Sequence, residues 1–176
     1  DVDDLGFIEA LINKLSSENL IDLKRVYSVG YSNGGMMSYA LACYKSNLIA
    51  AIGSVSGYML QSTSSVSESE CTPSHSISLI KLHGTTDYYD GEGVYNSVDS
   101  VLNFWVSFNN TNTDPIINNI DDNGTSITNY KYENGDNDVS VEHFKIIGGE
   151  HVWFNNDFNG KNTGQLIWDF VSKYDI

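Results

Sequence analysis

Hydrophobic residues recur along the chain with two different spacings, which predict alternating helices and strands. Spacings of three and four residues predict four helices, over residues 2–17, after Ser32, over 94–108 and over 163–174. Short continuous apolar runs predict buried strands, over residues 26–29, 48–55, 77–82 and 139–147. Because strands that alternate with helices form mostly parallel sheets, we expect a three-layer α/β fold with helices flanking the sheet.

Two polar segments interrupt this alternation. Residues 61–76 are rich in Ser and Thr and predict an exposed loop. Residues 109–138 are dominated by Asn, Asp, Thr and Gly, with a strand predicted at 127–132, so we expect an exposed excursion or a hairpin there. The 176 residues suffice for one domain with a core of its own, and we treat residues 1–176 as a single domain.

The chain is strongly acidic, with a formal net charge of −14 and Arg25 as its only arginine. Such a surface repels nucleic acids and anionic membranes, so we expect neither as a partner. No apolar run approaches the roughly 18 residues that a membrane-spanning helix needs. A share of 40% apolar residues indicates a folded globular protein.

The stretch Gly30-Tyr31-Ser32-Asn33-Gly34 has the form Gly-x-Ser-x-Gly and lies between a predicted strand and a predicted helix. In that setting it predicts a sharp turn that projects a nucleophilic Ser32 hydroxyl above the sheet, beside the helix N-terminus. The alternative is a serine in a structural turn. If Ser32 is a nucleophile, the backbone N–H of Asn33 is one of the two donors that a developing oxyanion needs.

Ser32, Asp87 and His151 each follow a predicted strand. The carboxyl ends of parallel strands meet at one edge of a sheet, so we expect the three residues to converge there. A serine hydroxyl needs a base within hydrogen-bond reach, histidine suits that role near neutral pH, and a carboxylate fixes the tautomer of the histidine. The residues therefore predict a Ser-His-Asp triad, which needs no metal or cofactor.

Other histidines and aspartates compete for these roles. His75 lies before its strand, at the wrong edge of the sheet, and His143 lies in the middle of a strand. We expect His83 to order the loop that carries the acid. For the acid itself, Asp90 and Asp99 are alternatives that lie farther from the strand end than Asp87 does.

Two cysteines, Cys43 and Cys71, allow a single disulfide. Cys71 lies in the polar loop, where a lone thiol has little packing reason to be, so we favour the bridge over two reduced thiols. In the chain-entropy model such a bridge contributes roughly 3–4 kcal/mol, and it implies an oxidising compartment.

These motifs resemble the polyhydroxybutyrate depolymerase and feruloyl esterase-like group of α/β-hydrolases, which are secreted serine esterases. The matching stretches run in the family's order along nearly the whole chain, over residues 2–8, 25–27, 30–37, 71–73, 83–87 and 148–153. The resemblance implies Ser32 as the nucleophile, Asp87 as the acid and His151 as the base. It also supports a bridge between Cys43 and Cys71, and a secreted or periplasmic location.

The resemblance implies an ester substrate, either a hydroxyalkanoate oligomer, a feruloylated or acetylated polysaccharide, or a short-chain ester. We expect Tyr31, Tyr58 and Trp153 near the acyl or alcohol part of the substrate, the alternative being aromatic residues of the rim or the core. Two other functions stay open. One is a prolyl-oligopeptidase-type serine peptidase, which also has a Gly-x-Ser-x-Gly-Gly elbow and a His-Gly-x-x-Asp loop, and the other is a non-catalytic hydrolase-like binding module.

The chain departs from the family at its N-terminus. Members carry about four strands before the helix that opens this chain, together with a His-Gly loop that supplies the second oxyanion donor. We therefore expect this chain to be the C-terminal part of a larger enzyme, with about four of the usual eight strands and one unpaired edge. An upstream segment would complete the sheet. Without its oxyanion donor, turnover falls by about a hundred- to a thousandfold.

Overall fold

The computed structural model of the chain describes residues 2–18, 20–59 and 71–176. Within these residues the α-helices are α1 (Asp4–Ser17), α2 (Asn33–Tyr44), α3 (Val98–Phe108) and α4 (Thr163–Val171). The strands are β1 (Tyr27–Tyr31), β2 (Ala51–Val55), β3 (Ser78–Gly84), β4 (Ile116–Asp122), β5 (Thr125–Tyr132) and β6 (Val141–Ile146). Short 3₁₀ turns lie at Leu23–Arg25, Ser46–Leu48 and Asp136–Asp138.

The described strands form one sheet in the order β1-β2-β3-β6-β5-β4. β1, β2, β3 and β6 run parallel, whereas β5 and β4 are an antiparallel hairpin added beside β6. The predicted α/β fold with a mostly parallel sheet is confirmed. The expectation of about four strands is wrong, because the described residues contain six. Of the two alternatives for residues 109–138 the hairpin is right, and it extends the main sheet.

Helices cover both faces of the sheet and divide the core into two parts. On the first face, α2 and α3 pack against Ile52, Leu79 and Val141, with side chains of α1 at the margin. On the second face, α4 packs against Ile80 and Phe144. At about 25 cal/mol per Å² of apolar surface removed from water, both parts of the core are major sources of stability.

Polar side chains determine where the helices begin. Asp3 accepts a hydrogen bond from the Gly6 N–H at 2.8 Å and so caps α1. Ser97 caps α3 in the same way, which starts that helix at Val98 rather than at residue 94. Asn162 caps α4, which ends at Val171 rather than at residue 174.

The disulfide between Cys43 and Cys71 is present. It joins α2 to the segment that precedes β3, and both residues are buried in the part of the core beneath α2 and α3. Residues 61–70 of the predicted serine-rich loop lie outside the described residues. The described remainder is anchored at Ser46, whose hydroxyl oxygen accepts the Ser74 N–H at 2.8 Å.

β1 lies at one edge of the described sheet, where it pairs with β2 alone. Val29 and Tyr31 on this strand are 44% and 38% exposed, which is unusual for a parallel strand because such strands are normally buried on both faces. None of the helices among the described residues has the length and hydrophobicity that crossing a bilayer requires.

Candidate active site

Ser32 is the single residue between the end of β1 and the start of α2. Its backbone has φ 53° and ψ −117°, a conformation that L-residues rarely adopt. The turn is held by hydrogen bonds at both sides of the residue. The Ser32 N–H donates to the Val55 carbonyl at 2.9 Å, and the Ser32 carbonyl accepts the Met36 N–H at 3.0 Å. The hydroxyl makes no capping bond to α2 and is free to point elsewhere.

Two glycines allow this sharp turn. A Cβ at Gly30 would lie 2.2 Å from the Gly34 carbonyl carbon, and a Cβ at Gly35 would lie 2.7 Å from the Ser54 hydroxyl oxygen. Gly34, the last residue of the Gly-x-Ser-x-Gly motif, has nothing within 4 Å of its own Cβ position. The close packing therefore requires Gly30 and Gly35, whereas at position 34 the turn uses only the backbone, which packs against Gly30.

Asp87 lies in the loop after β3, and its side chain is buried. Its Oδ2 atom is 2.9 Å from His151 Nδ1 and 3.0 Å from His83 Nε2, while Oδ1 accepts the Tyr89 N–H at 3.2 Å. Burial alone would raise the pKa of Asp87. The hydrogen bonds from His83, His151, the Tyr89 amide and the Tyr58 hydroxyl outweigh it and hold the pKa well below that of a free carboxyl group.

His151 follows β6 and is held by its neighbours at both ends of the ring. Nδ1 contacts Asp87, and Nε2 lies 2.8 Å from the Ser32 hydroxyl oxygen. Since a carboxylate only accepts, the proton belongs on Nδ1 and the lone pair of Nε2 faces the serine. The His151 side chain is 24% exposed, so a substrate can reach it. The Tyr31 hydroxyl donates to the His151 carbonyl at 2.8 Å and holds its backbone.

Two threonines join the loop that carries Asp87 to the loop that carries His151. The Thr86 N–H and hydroxyl both donate to the Gly149 carbonyl at 2.9 Å. The Gly148 N–H donates to the Thr85 hydroxyl oxygen at 2.9 Å. The loops lie so close that a Cβ at Gly84 would be 2.0 Å from the Gly149 oxygen. The sequence prediction included these threonines in a matching stretch but did not give them this role.

The competing histidines lie elsewhere. His75 contacts the Ser76 and Ser46 carbonyl oxygens, each at 2.8 Å. His143 is buried on β6, its ring stacked on Tyr130, and burial lowers its pKa well below 6.5. His83 contacts Asp87, in the loop that it was expected to order. Its pKa is lowered to about 4 by burial and by Lys81, so the His83–Asp87 contact is a hydrogen bond from a neutral ring.

Asp90 does not contact His151 in this structure. Its Oδ1 atom accepts the Val98 N–H at 2.8 Å at the start of α3. Asp99 lies in the first turn of that helix. Of the three candidate acids, Asp87 is the one that the described hydrogen bonds join to His151.

The predicted aromatic residues fall into two groups. Tyr31 and Trp153 are 38% and 39% exposed, and the Tyr31 ring lies 5.4 Å from the His151 ring. Tyr58 is buried, with its hydroxyl 2.7 Å from His83 Nε2 and hydrogen-bonded to Asp87, so it lies behind Asp87 rather than at the surface. The sequence prediction missed Tyr89, whose ring packs edge-on against His151 at 5.2 Å. The position of Tyr89 two residues after Asp87 was the available signal.

Asn33 is the first residue of α2, where amide N–H groups have no acceptor within the helix. Its backbone N–H is therefore available beside Ser32, at the positive end of the helix dipole. Among the described residues, no group of three or more histidine, cysteine, aspartate or glutamate side chains could hold a metal ion.

Comparison with known proteins gives one family and a consistent set of relatives. The family described as Phospholipase/Carboxylesterase matches residues 3–113. Feruloyl esterase B from Piromyces equi is 27% identical over 188 residues, covering 100% of this chain and 32% of that protein. A bifunctional acetylxylan esterase/xylanase from Neocallimastix patriciarum is 28% identical over 175 residues, covering 98% of this chain and 24% of that protein.

An acetyl xylan esterase from Aspergillus awamori has the same fold, with a TM-score of 0.63 at 14% identity, covering 95% of this chain and 66% of that one. The chain spans about a third or less of the length of the two curated relatives. These likenesses confirm the predicted resemblance to feruloyl esterase-like α/β-hydrolases. Because the family match extends over more than half of the chain, the protein belongs to the phospholipase/carboxylesterase family of α/β-hydrolases.

Proposed function

We propose that this chain carries the catalytic triad of a serine carboxylic ester hydrolase. The observation that supports this most strongly is the unbroken series of hydrogen-bond contacts from Ser32 Oγ through His151 to Asp87 Oδ2, at 2.8 and 2.9 Å. Three side chains from three separate strand ends meet there with the lone pair of His151 facing the serine. A strained backbone at Ser32 supports the same role, because such strain is concentrated at functional residues.

The proposed reaction has two halves. Ser32 Oγ attacks the ester carbonyl carbon while its proton passes to His151 Nε2, and the carbonyl oxygen becomes an oxyanion that the Asn33 N–H stabilises. The intermediate then collapses, the alcohol takes the proton from Nε2, and an acyl-serine remains. Water attacks this ester, again giving its proton to His151. Collapse releases the acid and returns the proton to Ser32.

Asp87 keeps its charge throughout the proposed cycle. Because its pKa is held well below the usual range, it stays ionised at every pH at which His151 can act as a base. The carboxylate then favours the Nδ1–H tautomer and stabilises the imidazolium form. His83, Tyr58 and the Tyr89 amide support this charge in a buried setting.

For the substrate we propose an ester of a plant polysaccharide, carrying a feruloyl or an acetyl group, with hydroxyalkanoate oligomers and short-chain esters as the remaining candidates. The relatives named feruloyl and acetylxylan esterases support this class. The partly exposed rings of Tyr31 and Tyr89 lie 5.4 and 5.2 Å from the His151 ring, which suits contact with a planar acyl group. Trp153, two residues after His151 and 39% exposed, is a further candidate for such a contact. The disulfide supports a secreted or periplasmic location.

We further propose that a segment outside this chain pairs with the edge of β1 and supplies the second oxyanion donor. The exposed Val29 and Tyr31 on that edge support the pairing. A segment paired with β1 would also cover the side chain of Trp168 on α4, which is 57% exposed.

The test is labelling by a serine-reactive fluorophosphonate, followed by hydrolysis of four substrates. We expect Ser32→Ala to abolish labelling, whereas Ser107→Ala, at an exposed serine on α3, leaves it unchanged. Labelling that survives in Ser32→Ala would disprove the proposal. Methyl ferulate, p-nitrophenyl acetate, hydroxybutyrate oligomers and a peptide anilide then rank the candidates, and hydrolysis of the anilide alone would indicate a peptidase.

A further inference from the structure

Lys81 lies in the middle of β3 and is completely buried. Burial of a lysine is costly unless its ammonium group finds partners. None of the ion pairs among the described residues includes Lys81. Its Nζ atom instead donates to the Gly57 carbonyl at 2.6 Å, lies 3.4 Å from the Tyr39 hydroxyl, and sits 5.6 Å from the ring centres of Tyr39 and Tyr58. The ester-hydrolysis mechanism does not use this group.

The carbonyl that Lys81 holds belongs to the turn after β2, at the same edge of the sheet as Ser32 and Asp87. The turn is tightly packed, since a Cβ at Gly57 would lie 2.8 Å from Gly35 Cα. The next residue, Tyr58, has its hydroxyl 2.7 Å from His83 Nε2 and hydrogen-bonded to Asp87. Displacement of the Gly57 carbonyl would therefore move a partner of the acid.

His83 is the second link to the acid. Its ring is buried and neutral, and Nε2 lies 3.0 Å from Asp87 Oδ2, the oxygen that also contacts His151. Because the carboxylate can only accept, the proton of His83 belongs on Nε2. The opposite nitrogen, Nδ1, is buried without a partner among the described residues. The orientation of this ring thus depends on Asp87 and Tyr58.

We propose that Lys81 is a positioning residue for the triad acid, holding the Gly57 carbonyl so that Tyr58 and His83 stay against Asp87 Oδ2. Lys81 touches neither the substrate nor the reacting atoms and acts through Tyr58. Burial lowers the pKa of Lys81 to about 7, yet both the ammonium and the amine retain N–H donors for the Gly57 carbonyl. We therefore expect the hydrogen bond from Lys81 to the Gly57 carbonyl to persist at pH values both below and above 7. The expected effect on kcat rests on the proposed function. The expected effect on the orientation of His83 rests on the hydrogen bonds alone.

The kinetic test compares Lys81→Met with Leu79→Met. Both residues are fully buried on the same strand and the same face, but only Lys81 reaches Gly57. We expect Lys81→Met to lower kcat for ester hydrolysis about 10- to 100-fold with little change in KM, because small displacements of catalytic groups reduce turnover by such factors. Lys81→Gln retains an amide N–H donor and should recover part of the loss. Equal kcat in the two methionine variants would overturn the proposal.

The structural test follows the tautomer of His83 by ¹⁵N NMR of histidine-labelled protein. We expect the Nε2–H tautomer in the unaltered protein and in Leu79→Met, and a mixture of tautomers in Lys81→Met. This readout separates the two proposals. A change of tautomer without any esterase activity in the unaltered protein would leave the positioning role standing while the esterase assignment fails. An unchanged His83 tautomer in a Lys81→Met protein that hydrolyses esters would disprove the positioning role and leave the esterase assignment standing.

If Lys81→Met does not fold, Tyr58→Phe tests the proposal instead, because it removes only the hydroxyl that joins the turn after β2 to Asp87. We expect it to lower kcat about 10-fold and to disturb the His83 tautomer. Unchanged kcat and tautomer in Tyr58→Phe would overturn the route from Lys81 to Asp87.

Discussion

The two faces of β3 differ in chemistry although they belong to one strand. Ile80 and Leu82 face α4 and join an apolar part of the core that includes Phe144 and Phe170. The alternate residues Lys81 and His83 face α2 and α3, where they are buried among tyrosines. We call these the α4 face and the polar face.

The polar face is the side from which the proposed triad acid is held. Its buried groups contact Asp87 or the residues that support it, and burial of such groups costs stability unless every partner is in place. The α4 face has no contact with the acid among the described hydrogen bonds and contributes by packing. The difference suggests that one face stabilises the sheet while the other sacrifices stability to position a charge.

The largest effect is expected on the polar face, from Asp87→Asn. The amide is close in size to the carboxylate but lacks its charge, so it favours the wrong tautomer of His151. We expect kcat to fall about a thousand- to ten-thousandfold, with a much smaller change in the free energy of unfolding. Steady-state ester hydrolysis and urea denaturation measure the two quantities.

Asp90→Asn is the matched control, because Asp90 belongs to the same loop and bonds the Val98 N–H instead of a histidine. We expect its kcat to stay within a few-fold of the unaltered protein. The reverse ranking of the two variants would make Asp90 the acid, an alternative that the sequence alone leaves open.

On the α4 face the opposite outcome is expected from Ile80→Ala. Ile80 is completely buried in the sheet, and removing its side chain should lower the free energy of unfolding by about 2–5 kcal/mol. Activity per folded molecule should stay within about twofold, because the triad contacts are on other residues. Ile117→Ala on β4, where the side chain is 55% exposed, should change stability by no more than about 0.5 kcal/mol.

Loss of activity in folded Ile80→Ala that matched the loss in Asp87→Asn would abolish the distinction between the two faces. It would mean that the position of the acid depends on packing beneath α4 as much as on its own hydrogen bonds.

The sequence predicted the parts of this molecule that follow from local pattern and from parallel topology. The apolar runs located β1, β2, β3 and β6, and the rule that their carboxyl ends meet explains why Ser32, Asp87 and His151 are neighbours. β4 was missed because Ile116–Asp122 is mostly polar and exposed, and only its pairing with β5 makes it a strand. A usable signal was present at Asn123-Gly124, where both residues have positive φ in a two-residue hairpin turn.

Contacts between loops that are far apart in the chain could not be predicted from the sequence. Thr86 contacts Gly149 across 63 positions of the chain, and no local pattern encodes that meeting. Lys81 is one of two polar residues in the run 77–82, which the sequence predicts as a buried strand. The groups that surround its ammonium, a carbonyl and two tyrosine rings, come from other elements and could not be predicted.

A smaller effect than the destabilisation by Ile80→Ala, and the sharpest probe of the polar face, is the dependence of stability on pH. Lys81 has a folded pKa of about 7, against 10.5 for an ordinary lysine. Between these values the unfolded chain binds a proton that the folded protein has lost. The free energy of unfolding therefore rises with pH across this window, by up to about 1.4 kcal/mol per pH unit. His83 acts in the same direction between about pH 4 and 6.5.

Urea denaturation at pH 8, 9 and 9.5 isolates the lysine, since these values lie above the histidine window. Tyrosines of the unfolded chain begin to ionise at about pH 9.5, and because burial raises the pKa of Tyr39 and Tyr58, this lowers the stability of all variants alike and cancels when their slopes are compared. The charged and titratable groups that face Lys81 are Tyr39, Tyr58, His83, Asp87, Asp90 and His143.

Lys81→Met removes the lysine ionisation and should flatten the pH dependence between pH 8 and 9.5, whereas Leu79→Met and Ile80→Ala should keep the slope of the unaltered protein. Because Asp87 and Asp90 raise the pKa of Lys81, Asp90→Asn should lower it slightly and extend the rising window to lower pH. A slope in Lys81→Met equal to that in Leu79→Met would mean that folding does not lower the pKa of Lys81, and the proposed burial of this amine on the polar face would be wrong. If stability rises with pH only in the proteins that retain Lys81, the polar face carries a buried ionisable group that the α4 face lacks.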